Sequence, residues 1–283
     1  MKKTIAMLLA VMMLFALTAC ASKTEPAAEP AGSEAAETDA EPVTLYVFAA
    51  ASMTETLDQI IELYKTVAPN VTVVPTYDSS GTLKTQIQEG AACDIFISAA
   101  QKQMNQLDAA KDAEGGNEEG LDFVLSDTRV DLLENKVVLA VPDNNPKGIE
   151  TFADLGTEKL SLLCIGNEDV PVGAYSLEIL TALGILDTLE SAGKLTYGSN
   201  VKEVTTQVKE GTVDAGIIYA TDAFSAALTV VDQADSSLCR QVIYPAAVLN
   251  TTEHEQAARD FLAFLQSDEA MAVFQSVGFA PAP

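Results

Sequence analysis

The sequence predicts an α/β fold, because apolar segments of strand length alternate along the chain with segments of helical spacing. Six segments have the length and apolar composition of strands: 44–49, 71–75, 94–98, 137–141, 160–165 and 215–219. Helical spacing links Leu57, Ile60, Ile61 and Tyr64, and again Val201, Val204 and Val208. This alternation indicates mainly parallel sheets with helices on both faces, and it places ligands at the carboxyl ends of the strands.

The amino terminus has the pattern of an export signal. Two lysines precede an apolar run from Ile5 to Leu17, which is shorter than the roughly 20 residues that a membrane-spanning helix needs. We therefore predict a signal peptide over residues 1–19. The ending Leu17-Thr18-Ala19-Cys20 resembles the lipobox of bacterial lipoproteins, which implies cleavage before Cys20 and a lipid anchor on its thiol. The alternative is an ordinary signal peptide with an incidental cysteine.

Residues 20–42 are predicted to form an acidic, disordered tether, because the segment after Cys20 consists almost entirely of Ala, Glu, Pro, Ser and Thr. The whole chain carries a formal net charge of −25. Such a charge argues against nucleic acid as a partner and against direct adhesion to anionic lipid heads. With the export signal, it indicates an extracytoplasmic protein that is held at the cell membrane by its lipid alone.

Two strand-to-helix junctions carry hydroxyl side chains where a helix is expected to begin. Ser52 and Glu55 form a Ser-x-x-Glu pattern, which predicts that Ser52 caps the following helix. The run Asp78-Ser79-Ser80 precedes a second segment of helical spacing. Capping alone is an alternative explanation for both junctions, although a capping hydroxyl can still donate its own proton outward.

Two further junctions leave backbone donors exposed. Pro171 stands where a third helix is expected to begin, which predicts free N–H groups on Val172 and Gly173. Asn200 is a candidate cap for a fourth helix, with the N–H of Val201 just inside it. Four helix starts at one cleft would bind an anion through dipoles and neutral donors, which an otherwise acidic protein requires.

Five motifs together resemble the periplasmic molybdate-binding proteins of ABC transporters, in order from about Val43 to Phe279: residues 47–52, 79–83, 94–99, 170–175 and 216–219. The resemblance implies a two-lobed periplasmic-binding-protein fold of type II, with mainly parallel sheets flanked by helices and two crossing hinge strands. We place lobe 1 at 43–135 plus 245–283 and lobe 2 at 136–244.

The resemblance also implies the function and the residues that perform it. The ligand is expected to be molybdate, with tungstate as a second ligand, and the partner an ABC transporter permease that receives it from a monomer. The implied oxyanion-binding residues are Ser52, Ser80, Val172, Val201 and Tyr219, with Ala99 as a further lining residue. Val172 stands where alanine is common in the family and Gly81 where a third serine is frequent, so the preferred oxyanion stays open.

Other chemistry finds little support in the residues. The only histidine, His254, has no second histidine with which to hold zinc, and Cys93, Cys164 and Cys239 lack CxxC spacing. These cysteines are expected to be buried thiols, or two of them to form a disulfide. We expect no cofactor and no protein-metal ligands. The acidic stretch 112–122 is predicted to be a surface insertion without an assigned function.

The alternatives to a molybdate receptor are a receptor for sulfate, phosphate or a metal ion, a secreted enzyme, and a structural or adhesive lipoprotein. An enzyme acting through Ser52 or Tyr219 would lack a general base, so we predict that the protein is not an enzyme.

Overall fold

The computed structural model describes residues 41–114 and 116–283. The predicted signal peptide at 1–19, Cys20 and the tether up to residue 40 lie outside these ranges. Within the described ranges, no helix combines the length and the apolar character that crossing a bilayer requires.

The strands in chain order are β1 (Val43–Ala50), β2 (Val71–Asp78), β3 (Ile95–Ile97), β4 (Val130–Asn135), β5 (Val137–Val141), β6 (Leu163–Gly166), β7 (Leu195–Gly198), β8 (Ala215–Tyr219), β9 (Thr229–Gln233), β10 (Val242–Val248) and β11 (Ala280–Pro281). The helices are α1 (Thr54–Val67), α2 (Ser80–Gln88), α3 (Gln101–Asn105), α4 (Pro171–Ala182), α5 (Leu186–Ser191), α6 (Val201–Lys209), α7 (Ala220–Ser225), α8 (Glu255–Leu265) and α9 (Asp268–Ser276). All six predicted strand segments overlap an observed strand.

The strands form two sheets, and each sheet is mixed. The first has the order β11-β4-β10-β3-β1-β2, and the second has the order β7-β6-β8-β5-β9. Strands β2, β1 and β3 are parallel, as are β7, β6 and β8, whereas β10, β4, β5 and β9 pair antiparallel with their neighbours. The predicted α/β fold is confirmed, with a parallel core in each sheet that antiparallel strands extend.

The chain passes between the sheets twice. Strand β4 of the first sheet ends at Asn135 and β5 of the second begins at Val137, so Lys136 alone separates them. The return runs through residues 234–241, between β9 and β10. These two passages agree with the two-lobed fold, while the lobe boundaries at 135/136 and 244/245 remain predictions.

The predicted helical spacings mark buried faces. In α1 the face made by Leu57, Ile60, Ile61 and Tyr64 is buried and packs on β2 and on the two carboxyl-terminal helices. In α6 the valines at 201, 204 and 208 are buried against β6 and β8. Burying each such side chain contributes about 1.5–3 kcal/mol, which fixes each helix against its own sheet and so fixes where it begins.

Strand β10 lies between β3 and β4 although it contains a proline. Proline cannot donate to a sheet and is normally confined to edges and bulges. Here the pairing of β10 with β4 shifts register between Tyr244 and Pro245, so the proline occupies an irregularity. The preceding residue, Tyr244, is fully buried and becomes important at the site.

Candidate functional site

A small cavity lies where strands β1, β2 and β7 lead into helical turns. Its lining consists of Ala50, Ala51, Ser52, Asp78, Ser79, Ser80, Ala99, Val170, Pro171, Val201 and Tyr219. The structure thus brings together five predicted site residues from both sheets: Ser52, Ser80, Ala99, Val201 and Tyr219. Val172 is fully buried beside the lining residue Pro171 but does not line the cavity itself.

The cavity volume is only ≈ 10 Å³, whereas a groove of ≈ 680 Å³ lies elsewhere, along Gln101, Tyr175 and Arg240. Pockets for organic ligands usually measure about 300–1,000 Å³. The small cavity is therefore too tight for an organic ligand of that size. We centre the site there rather than in the larger groove, because the unpaired donors described below converge on it.

Two of the helix starts follow the prediction. The hydroxyl of Ser79 accepts a hydrogen bond from the Thr82 N–H at 3.1 Å and caps α2. The side chain of Asn200 accepts from the Glu203 N–H at 3.1 Å and caps α6. First-turn N–H groups have no acceptor within their own helix, and no described group accepts from the N–H of Ser80 or Val201.

The start of α4 confirms one prediction and corrects another. Pro171 is the first residue of the helix, and the Val172 N–H donates to no described acceptor. The prediction of a free Gly173 N–H was wrong, because this group donates to the Val170 carbonyl at 2.8 Å. A tight first turn satisfies a donor that an ideal α-helix would leave open.

The predicted capping role of Ser52 was also wrong. Residues 51–53 form a 3₁₀ turn and α1 begins only at Thr54, without a side-chain cap. The Ser52 hydroxyl instead lies 2.8 Å from the phenol oxygen of Tyr244. A tertiary partner from β10 has replaced the local backbone partner, and the sequence pattern could not reveal it.

The hydroxyl protons near Ser52 can be assigned by counting donors and acceptors. Asn135 Nδ2 donates to the Tyr244 oxygen at 3.2 Å, so the phenol proton remains available to donate. We assign that proton to the bond with Ser52 Oγ, which lies 2.8 Å from the phenol oxygen. Ser52 then has its own proton free to donate. The sequence interpretation missed Tyr244 as a support for this serine.

Ser80 is arranged in the same way on the other side of the cavity. Its oxygen accepts a hydrogen bond from the Ala99 N–H at 2.9 Å, and the side chain is fully buried. Its proton is therefore also free to donate. The role of Ala99 differs from simple lining, because its backbone orients the Ser80 hydroxyl.

Tyr219 supplies a third hydroxyl, and this one has no partner. The residue is 1% exposed, and its phenol oxygen is buried without a hydrogen bond to any described group. Burial raises the pKa of Tyr219 well above its ordinary value, so the phenol stays protonated. An unsatisfied buried hydroxyl costs about 1–3 kcal/mol, which a ligand able to accept from it would recover.

One charged side chain lines the cavity, and a buried ion pair lies behind it. Asp78 is the one charged side chain in the lining, and its Oδ1 accepts from the Ser79 N–H at 2.7 Å and from Asn200 Nδ2 at 3.4 Å. Behind the site, Asp222 is fully buried, with Oδ1 3.2 Å from the amino group of Lys202. Burial raises the pKa of Asp222 to about 6, although Lys202 acts in the opposite direction.

The structure also places the residues that were considered for metal binding and for disulfide formation. His254 is exposed, and the described residues contain no group of three or more His, Cys, Asp or Glu side chains that could hold a metal ion. Cys93, Cys164 and Cys239 are free thiols, so the disulfide alternative was wrong.

The chain is similar to known proteins over most of its length. A family model described as bacterial extracellular solute-binding protein matches residues 45–280. A Bacillus subtilis (strain 168) protein named as an ABC transporter substrate-binding lipoprotein, YvgL, is 37% identical over 251 residues, covering 87% of this chain and 90% of that protein. The molybdate-binding protein ModA of Haemophilus influenzae is 33% identical over 240 residues, covering 83% and 89%.

A solved structure is also similar. It is a substrate-binding domain from Clostridium difficile assigned to a molybdenum ABC transporter, with a TM-score of 0.63 and 35% sequence identity. The similarity covers 85% of this chain and all of that domain.

Proposed function

Because the chain belongs to the family of bacterial extracellular solute-binding proteins, we propose that it captures molybdate, and tungstate as a second ligand, and delivers the anion to an ABC transporter permease. At the coarser level it is an extracytoplasmic substrate-binding protein of an ABC transporter, with ModA proteins among its relatives. Members of this family are transport components rather than enzymes. We propose the preference for molybdate and the release of the anion to a permease.

The unpaired Tyr219 hydroxyl is the observation that supports this proposal most strongly. It lines a cavity into which Ser52 and Ser80 have protons free to donate, and near which the N–H groups of Val172 and Val201 lack acceptors. These unpaired groups are all donors, so they favour a ligand that offers acceptors. A fully deprotonated oxyanion is such a ligand, whereas sugars and amino acids bring donors of their own.

The charge of the ligand is compatible with an acidic protein. Hydrogen bonds from neutral donors to an ionised acceptor are about twice as strong as those between neutral groups, and they add no net charge. Helix starts add their dipoles, each worth up to about 1–2 kcal/mol over short distances. The cavity thus favours an anion locally although the chain is negative overall.

Thermal unfolding of the purified protein with molybdate, tungstate, sulfate and phosphate tests the ligand. A ligand at about 100 times its Kd adds roughly 2.7 kcal/mol of stability, which raises the midpoint by about 5–10 °C at this size. We expect this rise with molybdate and tungstate. A rise with sulfate or phosphate alone would contradict the proposed ligand and favour the other oxyanions, and a Ser52→Ala, Ser80→Ala double variant serves as the binding-deficient control.

We further propose that Cys20 carries the lipid anchor that follows from its Leu-Thr-Ala-Cys context. The relative YvgL is named a lipoprotein. Expression in a bacterium fed radiolabelled palmitate should label the wild-type chain and not a Cys20→Ser variant. Equal labelling of both chains, or of neither, would show that Cys20 is not the anchor.

A further inference from the structure

A backbone hydrogen bond joins elements of the two sheets beside the cavity. The N–H of Gly81, in the first turn of α2, donates to the carbonyl of Asp169 at 2.9 Å. Helix α2 follows β2 of the first sheet, while Asp169 precedes α4, which packs on β6 of the second. The contact therefore joins two of the helix starts that line the cavity, one from each sheet.

Only glycine permits this contact at its present distance. A Cβ placed on Gly81 would lie 2.4 Å from the Asp169 oxygen, 2.8 Å from its Cα and 2.9 Å from its carbonyl carbon. All three are backbone atoms, so no side-chain rotation relieves the overlap. The backbone angle at Gly81 lies outside the positive range, so close approach is the reason that this position needs glycine.

The neighbours of this contact are the walls of the cavity. Ser79 and Ser80 immediately precede Gly81, and Val170 and Pro171 immediately follow Asp169; all four line the cavity. Alanine at position 81 would push these walls apart by roughly 0.6 Å or more before the overlap reaches an acceptable contact. A shift of this size exceeds the roughly 0.5 Å range of donor–acceptor distances over which hydrogen bonds form, so it moves donors out of reach of a small anion.

We propose that Gly81 is the size-setting residue of the anion site: by allowing the start of α2 to touch the backbone of Asp169, it fixes how closely the donors from the two sheets converge. This inference rests on the proposed function and adds a positioning residue that does not itself line the cavity. Gly81 acts through its lack of a side chain and not through a new contact with the ligand.

Calorimetric titration of molybdate into wild type, Gly81→Ala and Asp169→Asn tests the role. We expect Gly81→Ala to weaken binding about tenfold or more, because charge-assisted hydrogen bonds are lost with the spacing. Asp169→Asn keeps the backbone carbonyl and is expected to stay within about threefold of wild type. The unfolding midpoint of ligand-free Gly81→Ala is expected to fall modestly, because the backbone overlap and the lost bond to Asp169 outweigh the helix preference of alanine. Gly81→Ala binding within about threefold of wild type would overturn the proposal.

Hydrogen exchange at the amide of residue 81 separates this inference from the proposed function. In wild type we expect protection of this amide by the Asp169 carbonyl, and loss of protection in Gly81→Ala. If wild type binds none of the four anions, the proposed function fails, whereas the exchange comparison still decides the spacing role. Equal protection of the amide in both proteins would then overturn the inference on its own.

Discussion

The amino group of Lys202 lies 2.7 Å from Oε2 of Glu55, and this ion pair joins a helix on the second sheet to a helix on the first. Lys202 follows Val201 at the start of α6, and Glu55 stands three residues after Ser52 at the start of α1. The same lysine lies 3.2 Å from the buried carboxylate of Asp222. One cation therefore links two of the cavity walls and partly compensates a buried negative charge.

Removing the cross-sheet ion pair should weaken binding modestly. The side chains of Lys202 and Glu55 are 29% and 45% exposed, and pairs of this kind contribute about 0.2–1 kcal/mol. We expect Glu55→Gln to lower molybdate affinity by up to about fivefold and to change the salt dependence of binding. Glu62→Gln is the matched control, because Glu62 pairs with Lys65 within α1 and not with a residue of α6. An equal effect of both variants in titrations at low and high salt would contradict a link across the cavity.

Tyr219→Phe should separate ligand binding from folding. The phenol has no partner in the described structure, so its removal is expected to raise the stability of the ligand-free protein by roughly 1 kcal/mol. Molybdate affinity should fall by about 10- to 100-fold, since a hydrogen bond to a charged group is worth about 1.5–3 kcal/mol. Calorimetric titration and urea unfolding measure the two effects. Unchanged affinity would show that the phenol does not reach the ligand.

For comparison, Tyr77→Phe removes a phenol that bonds Asp58 away from the cavity, at 2.6 Å. This variant should leave molybdate affinity unchanged, which tests whether the effect of Tyr219→Phe is specific to the site.

Tyr244 is expected to act on the ligand through Ser52. Tyr244→Phe removes the hydrogen bond that occupies the Ser52 oxygen, so the serine proton is no longer directed toward the cavity. We expect affinity to fall severalfold, and ligand-free stability by about 1–3 kcal/mol, because Asn135 also loses a buried acceptor. A double-mutant cycle checks the route: in a Ser52→Ala background, Tyr244→Phe should have little further effect on affinity. If the two substitutions lowered affinity independently and additively, Tyr244 would not act through Ser52.

The buried carboxylate of Asp222 predicts a pH dependence of stability. Burial raises its pKa to about 6 in the folded protein, above the ordinary value of 3.8, while Lys202 lowers it and Glu55 raises it. A folded-state pKa above the unfolded one means that the folded protein binds the proton more tightly. This contribution is therefore complete below about pH 4 and is lost as the pH rises toward and past 6. The phenols of Tyr219 and Tyr244, which face the same region, stay neutral throughout this range because burial raises their pKa values.

Asp222→Asn removes this titration. Relative to wild type, the variant should gain about 1–2 kcal/mol of stability between pH 5 and pH 8, measured by urea unfolding at both values. The comparison between the two pH values cancels any fixed cost of the amide side chain. A constant difference between variant and wild type would mean that Asp222 keeps one protonation state across the range.

The sequence located most of the elements that position the site, because their signals are local. Apolar runs marked strands such as β1 and β8, and valine spacing marked α6. The strands that the sequence did not predict depend on pairing with distant segments of the chain. Strand β10 contains Pro245, which by itself argues against a central strand, and only the bulge opposite β4 accommodates it.

The sequence by itself predicted where donors stand: the helix starts at Ser80 and Val201 follow from short-range patterns and strand direction, while the family resemblance implied Tyr219. The tertiary structure alone decided how those donors are aimed and spaced. The partner of Ser52 is Tyr244, 192 residues away, and the approach of Gly81 to Asp169 spans both sheets. Such contacts depend on how two separately packed sheets meet, which no local pattern of residues encodes.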